Sequence, residues 1–175
     1  MRNILLATAA LTLIAAPAMA QSISNPQVSG SVGYTVLDGD DANLGAITGR
    51  ITAKVNPYFG VEGEASLGVK DDDVTVAGIT GDLSHEYDAA AYVVGTLPIS
   101  PNFELFGRLG YGTTRIKADV AGFSVTEDGE SVNYGAGANY YFDAQNGLRA
   151  DWTRRDFRND GGELDTYGLS YVRRF

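Results

Sequence analysis

The 175-residue chain has no cysteine, a single histidine, and only thirteen basic side chains against twenty-two carboxylates. Without cysteine no disulfide can brace an exported fold, so stability must come from closure, packing or lipid. A formal net charge of −9 excludes a nucleic-acid-binding role, which needs a basic surface. Long apolar runs are missing beyond the N-terminus. Residues 89–103 carry no charge, but Gly95, Pro98 and Pro101 interrupt them, so no further helical membrane span is expected.

What is present begins with an export signal. Arg2 precedes the apolar stretch Ile4–Ala16, and Ala18-Met19-Ala20 supplies an A-x-A cleavage pattern before Gln21. Residues 1–20 are read as a cleaved signal peptide and residues 21–175 as one domain. Removal of Arg2 takes the formal charge from −9 to −10. Twenty-two glycines, ten tyrosines and seven phenylalanines favour β structure.

Alternation of apolar and polar residues at period two predicts strands over about 28–37, 45–55, 58–69, 85–97, 103–115, 131–142, 148–155 and 166–175. Short turns are expected near Asn56, Ser100 and Gln145, the last carrying the hairpin signal Asn146-Gly147. The other connections, 38–43, 70–84, 116–130 and 156–164, are acidic and mostly longer. Eight antiparallel up-and-down strands with short turns at one end and longer loops at the other predict a transmembrane β-barrel with both termini on the short-turn side.

Alternation alone does not tell a lipid-facing apolar surface from the core of a soluble periplasmic binding barrel. The aromatic residues favour lipid. Tyr34, Tyr87, Tyr111, Tyr134 and Tyr167 fall on the apolar face near the acidic-loop end. Phe59, Phe103, Phe142 and Phe175 fall on the same face near the short turns. Three strands carry one of each, eight residues apart. That spacing spans roughly 26 Å along a strand and roughly 20 Å of height after a tilt of about 40°, close to the apolar band of such barrels. Between these two girdles the apolar face carries no charge, and Arg154 and Arg173 sit near strand ends where they can snorkel.

The opposite face offers Arg50, Lys54, Arg108, Arg149, Arg155 and Arg174 with Glu62, Glu64, Glu86, Asp88, Glu104 and Asp151. Charges of both signs in a narrow interior are expected to pair, because an unpaired buried charge is costly. The expected interior is therefore plugged by a salt-bridge network, a wide channel requiring more strands. A narrow porin-like channel is the alternative.

The signal peptide, the segment Phe103-Glu104-Leu105-Phe106-Gly107-Arg108-Leu109-Gly110-Tyr111-Gly112, the segment Asn133–Ala138 and the terminal Tyr167-Gly168-Leu169-Ser170-Tyr171 together resemble the small bacterial outer-membrane β-barrels, the family of the OmpA transmembrane domain and of Opa and OmpX-like surface proteins. The resemblance covers the whole mature chain. It implies an outer-membrane location in a Gram-negative envelope, a structural or surface-interaction role, contact with outer-membrane lipids including lipopolysaccharide, and recognition by the assembly machinery of a C-terminal signal formed by Tyr167, Leu169, Tyr171 and Phe175. Arg173 departs from the apolar or aromatic residue usual two before the end.

Some barrels of this membrane are lipid-modifying enzymes. Here Ser84-His85-Glu86 cannot form a triad from itself, since strand neighbours point to opposite faces, and the H-x-S arrangement of the lipid A deacylases is absent. Asp71-Asp72-Asp73 offers hard ligands for a divalent cation, but no calcium-loop spacing accompanies it, and the bland reading is a solvated loop. No catalytic residue, cofactor or metal site is expected.

Overall fold

A computed structural model describes residues 26–38, 43–70, 72–76, 79–120, 123–158 and 162–175. The export signal read over residues 1–20, with its cleavage residues Ala18 and Ala20, lies outside these residues. The chain forms β1 (Gln27–Asp38), β2 (Asn43–Lys54), β3 (Phe59–Lys70), β4 (Asp72–Val76), β5 (Ile79–Ser100), β6 (Phe103–Val120), β7 (Phe123–Tyr141), β8 (Asn146–Phe157) and β9 (Glu163–Arg174). All pairings are antiparallel, and all join sequence neighbours apart from the contacts of β1 with β9 and of β3 with β5. The result is a closed eight-stranded barrel. β4 is an outward continuation of β3 that pairs only with the first residues of β5.

Closure leaves no exposed edge within the barrel wall, which is what allows a sheet to cross a bilayer. The terminal strand completes the ring through Tyr34↔Leu169 and Val36↔Tyr167, and the Phe175 amide donates to the Val28 carbonyl at 2.9 Å.

The segments 70–84 and 116–130, expected as loops, are largely strand instead. The β5–β6 ladder runs out to Gly81↔Val120 and the β6–β7 ladder to Val120↔Phe123. The 18 residues of β6 exceed the 9–11 needed to span the hydrocarbon, so the hairpins continue beyond the membrane. Acidic side chains ended the hydrophobic pattern there without ending backbone pairing.

The short turns are closed by side-chain acceptors. Asn56 Oδ1 accepts from the amides of Tyr58 and Phe59 at 2.8 and 2.9 Å. Asp143 Oδ1 accepts from those of Gln145 and Asn146 at 2.8 and 2.7 Å. The third turn therefore lies at 142–145, and Asn146-Gly147 opens β8 rather than forming the apex. Gly147 is needed for close approach: a Cβ there would meet the Tyr140 carbonyl at 2.5 Å and Tyr141 Cδ1 at 2.9 Å.

The barrel is inverted relative to a soluble one. Among the described residues, eight buried side chains are hydrophobic and twenty-two are polar or charged. Val32, Ile51, Leu67, Val93, Leu109 and Leu169 are each more than half exposed on the outside. In water so much apolar area would be strongly unfavourable; facing lipid it carries no such cost.

Candidate functional site

The interior is layered. At the loop end, Leu37, Leu44 and Ala46 pack together with Leu164. Below them Thr48 Oγ1 donates to Thr35 Oγ1 at 2.8 Å and lies 2.9 Å from Ser66 Oγ.

The central layer is ionic. Arg108 is its hub: Nη1 reaches Glu62 at 2.9 Å and Glu64 at 2.8 Å, Nη2 reaches Asp151 at 3.0 Å, and Nε donates to Thr153 Oγ1 at 2.9 Å. Arg50 bonds Glu64 at 2.6 Å and Asp151 at 3.1 Å. Arg149 grips both oxygens of Glu62, at 2.6 and 3.0 Å, and reaches Asp151 at 3.1 Å. Arg155 bridges Asp88 at 2.9 Å and Glu64 at 3.4 Å. Thus four guanidiniums face four carboxylates, and the hydroxyls of Thr52 and Tyr92 donate to Glu62 and Glu64. Bidentate and charge-assisted bonds of this kind are what offset the desolvation of buried ions.

At the short-turn end Glu104 gathers the remaining charges. Its Oε2 accepts from Lys54 Nζ at 2.7 Å and Arg174 Nη2 at 3.3 Å; its Oε1 accepts from Asn139 Nδ2 at 2.9 Å and Tyr141 Oη at 3.3 Å. The side chain of Glu86 lies outside the described residues.

Several interior residues were hidden in the sequence. Tyr92 and Val94 blurred the alternation of their segment, yet both are buried inside with Phe106; Tyr141 and Val172 also point inward. Three aromatic rings carry guanidiniums: Arg108 lies 4.5 Å from the Tyr92 centroid, Arg149 4.2 Å from that of Phe106, and Arg174 3.3 Å from that of Tyr141. The legible signal was glycine. A Cβ at Gly110 would stand 2.7 Å from Tyr92 Cδ1, and one at Gly137 would stand 2.5 Å from Phe106 Cζ. Bare backbone opposite each ring makes room for it in a narrow barrel.

On the outer face, Tyr34, Tyr87, Tyr111, Tyr134 and Tyr167 are exposed towards the loop end, as are Phe59, Phe142 and Phe175 towards the short turns, while Phe103 is half-buried. Trp152, which the girdle pattern did not include, joins the upper set: it meets Tyr134 edge-on at 6.2 Å and donates its indole N–H to Asp165 at 3.1 Å. Arg154 is held by Asp165 at 2.8 Å and Glu163 at 2.9 Å, and Arg173 is exposed. Tyr167, Leu169 and Tyr171 are exposed on the same face as Phe175.

His85 pairs with Ile116 in the backbone ladder, whose register shifts between His85 and Tyr87. The strict alternation assumed for Ser84-His85-Glu86 is thus broken by an irregularity, and their side chains lie outside the described residues. Among the described residues, no three His, Cys, Asp or Glu side chains are grouped to hold a metal ion.

A closed barrel with a greasy exterior, aromatic belts and an ion-paired interior defines an integral β-barrel of the outer-membrane class. The chain belongs to the family described as the outer membrane protein beta-barrel domain, whose profile matches residues 6–175. Its fold is similar to that of Ail from Yersinia pestis, solved in complex with the heparin analogue sucrose octasulfate, at 24% identity and a TM-score of 0.63 over 87% of this chain and all of that one. It is likewise similar to OprG from Pseudomonas aeruginosa, at 13% identity and a TM-score of 0.68 over 86% of this chain and 96% of that one. Neisserial surface protein A matches at 13% identity and a TM-score of 0.54 over the same shares. No curated protein matches the sequence.

Proposed function

We propose that this chain is a non-catalytic structural and surface barrel that seals its own lumen and needs no cofactor. The observation that carries this reading is the matched central layer, in which Arg50, Arg108, Arg149 and Arg155 are all ion-paired to Glu62, Glu64, Asp88 or Asp151. Such a plug supports envelope integrity over transport, because moving an ion through it requires separating buried pairs.

Outside, the girdled face contacts outer-membrane lipids including lipopolysaccharide, with tyrosines and phenylalanines at the two interfaces. The C-terminal set Tyr167, Leu169, Tyr171 and Phe175 serves recognition by the assembly machinery. The segments 38–43, 70–84, 116–130 and 156–164 hold fourteen acidic and three basic residues, a net of −11. They favour a cationic surface partner and disfavour a polyanion of the kind bound to Ail. Planar-bilayer recording of the refolded barrel tests the seal. Baseline current is expected; a large, stable conductance would overturn it.

A further inference from the structure

The short-turn mouth of the lumen differs from the balanced centre. Lys54 Nζ and Arg174 Nη2 converge on one oxygen, Glu104 Oε2, at 2.7 and 3.3 Å. The two cations therefore lie within about 6 Å of each other and share a single carboxylate, the other Glu104 oxygen being taken by Asn139 and Tyr141. Like charges this close repel strongly where water is scarce. No other described carboxylate lies within ion-pairing reach of either cation.

Around Glu104 two donors, Arg174 Nε and Thr96 Oγ1, and one acceptor, Asn139 Oδ1, are left without partners. Arg174 Nε is buried and unbonded, and its guanidinium carbon lies over the Tyr141 ring, 3.3 Å from the centroid. Thr96 Oγ1 is likewise unbonded on a side chain only 6% exposed. Thr96 is inward-facing and diagonal to Glu104 on the β5–β6 ladder, where Thr96 pairs with Phe106 and Pro98 with Glu104. Buried polar groups without partners are uncommon and call for a ligand or solvent. The side chain of Arg174 keeps 19% of its surface open and that of Lys54 9%, so the cluster is reachable from the mouth.

We infer that Lys54, Arg174 and Thr96 form a binding site for a small anion, of the chloride or inorganic phosphate class, at the short-turn mouth. An anion there neutralises the surplus positive charge and accepts from the guanidinium Nε and the threonine hydroxyl. Glu104 competes with it and sets a weak affinity. The neutral centre above gives the anion no onward path, so the site binds without conducting.

The test is chloride-35 NMR line broadening on the full barrel refolded in detergent, with correct folding checked by heat-modifiable gel mobility. Saturable broadening above the detergent blank, displaced by inorganic phosphate, is expected. Thr96→Val, which keeps both charges, should weaken binding several-fold, and Arg174→Gln should abolish it. Glu104→Gln should tighten binding at least about tenfold by removing the competing carboxylate, a gain that mere loss of packing cannot produce. Arg154→Gln, on the outer face, should change nothing. Absence of saturable broadening in the wild-type barrel, or equal broadening in the folded Arg174→Gln variant, would overturn the site.

Discussion

Replacing Arg108 with methionine removes the charge and keeps much of the volume. It strips one guanidinium from Glu62, Glu64 and Asp151 together and leaves three arginines facing four carboxylates. Breaking a buried ion pair by deleting one partner costs about 3–5 kcal/mol, since the orphaned charge stays buried. Loss of the stack on Tyr92 adds about 0.5–2 kcal/mol. A loss of about 5 kcal/mol in urea unfolding of the lipid-refolded barrel is therefore expected, read by gel mobility and by Trp152 fluorescence. The double variant Arg108→Met with Glu64→Gln should recover part of that loss, because it restores the charge balance. Leu109→Ala, one residue away but 60% exposed on the outer face, should cost about 1 kcal/mol or less, since it opens no sealed cavity. Equal losses for Arg108→Met and Leu109→Ala would refute the reasoning, as would strictly additive effects in the double variant.

Further outcomes follow from the same geometry. Gly137→Ala should destabilise by about 1–3 kcal/mol through overpacking, because its Cβ meets Phe106 and the Ala150 carbonyl at 2.5 Å; Gly63→Ala, facing open space outside, should be nearly neutral in the same unfolding assay. Phe175→Ala should impair outer-membrane assembly more than Phe103→Ala, measured as the heat-modifiable fraction in isolated membranes. Equal effects would leave Phe175 as a girdle residue only.

Much of this architecture was legible because side chains on a strand have only two directions to take. Once Leu109 is assigned outward, Arg108 and Gly110 must face in, so the membership of the charged set could be read from parity. Which charges meet could not. Arg149 and Glu62 are 87 positions apart, and their contact depends on closure of the ring and on how the strands stagger. The inward aromatics were obscured for a different reason. Phe106 and Tyr92 look like lipid-facing residues by composition, and only the glycines opposite them mark cavities sized for rings. The outer hairpins were missed because hydrophobic alternation reports burial, whereas the ladder beyond the bilayer is held by backbone hydrogen bonds that acidic side chains do not prevent. The turn near Gln145 is where it was expected, but Asn146-Gly147 is not its apex, because Asp143 supplies the closing acceptor earlier in the chain.

The central claim is that the apolar face meets lipid and the charged face is sealed inside. The chain contains one tryptophan, and Trp152 lies on the outer face, paired across the ladders with Ala136 and Tyr167 and edge-on to Tyr134. Its fluorescence in vesicles of phospholipid brominated along the acyl chains is therefore the most direct measurement. Strong quenching by the brominated chains, with little quenching by aqueous acrylamide, is the predicted result. Quenching by acrylamide alone would place that face in water and contradict the account.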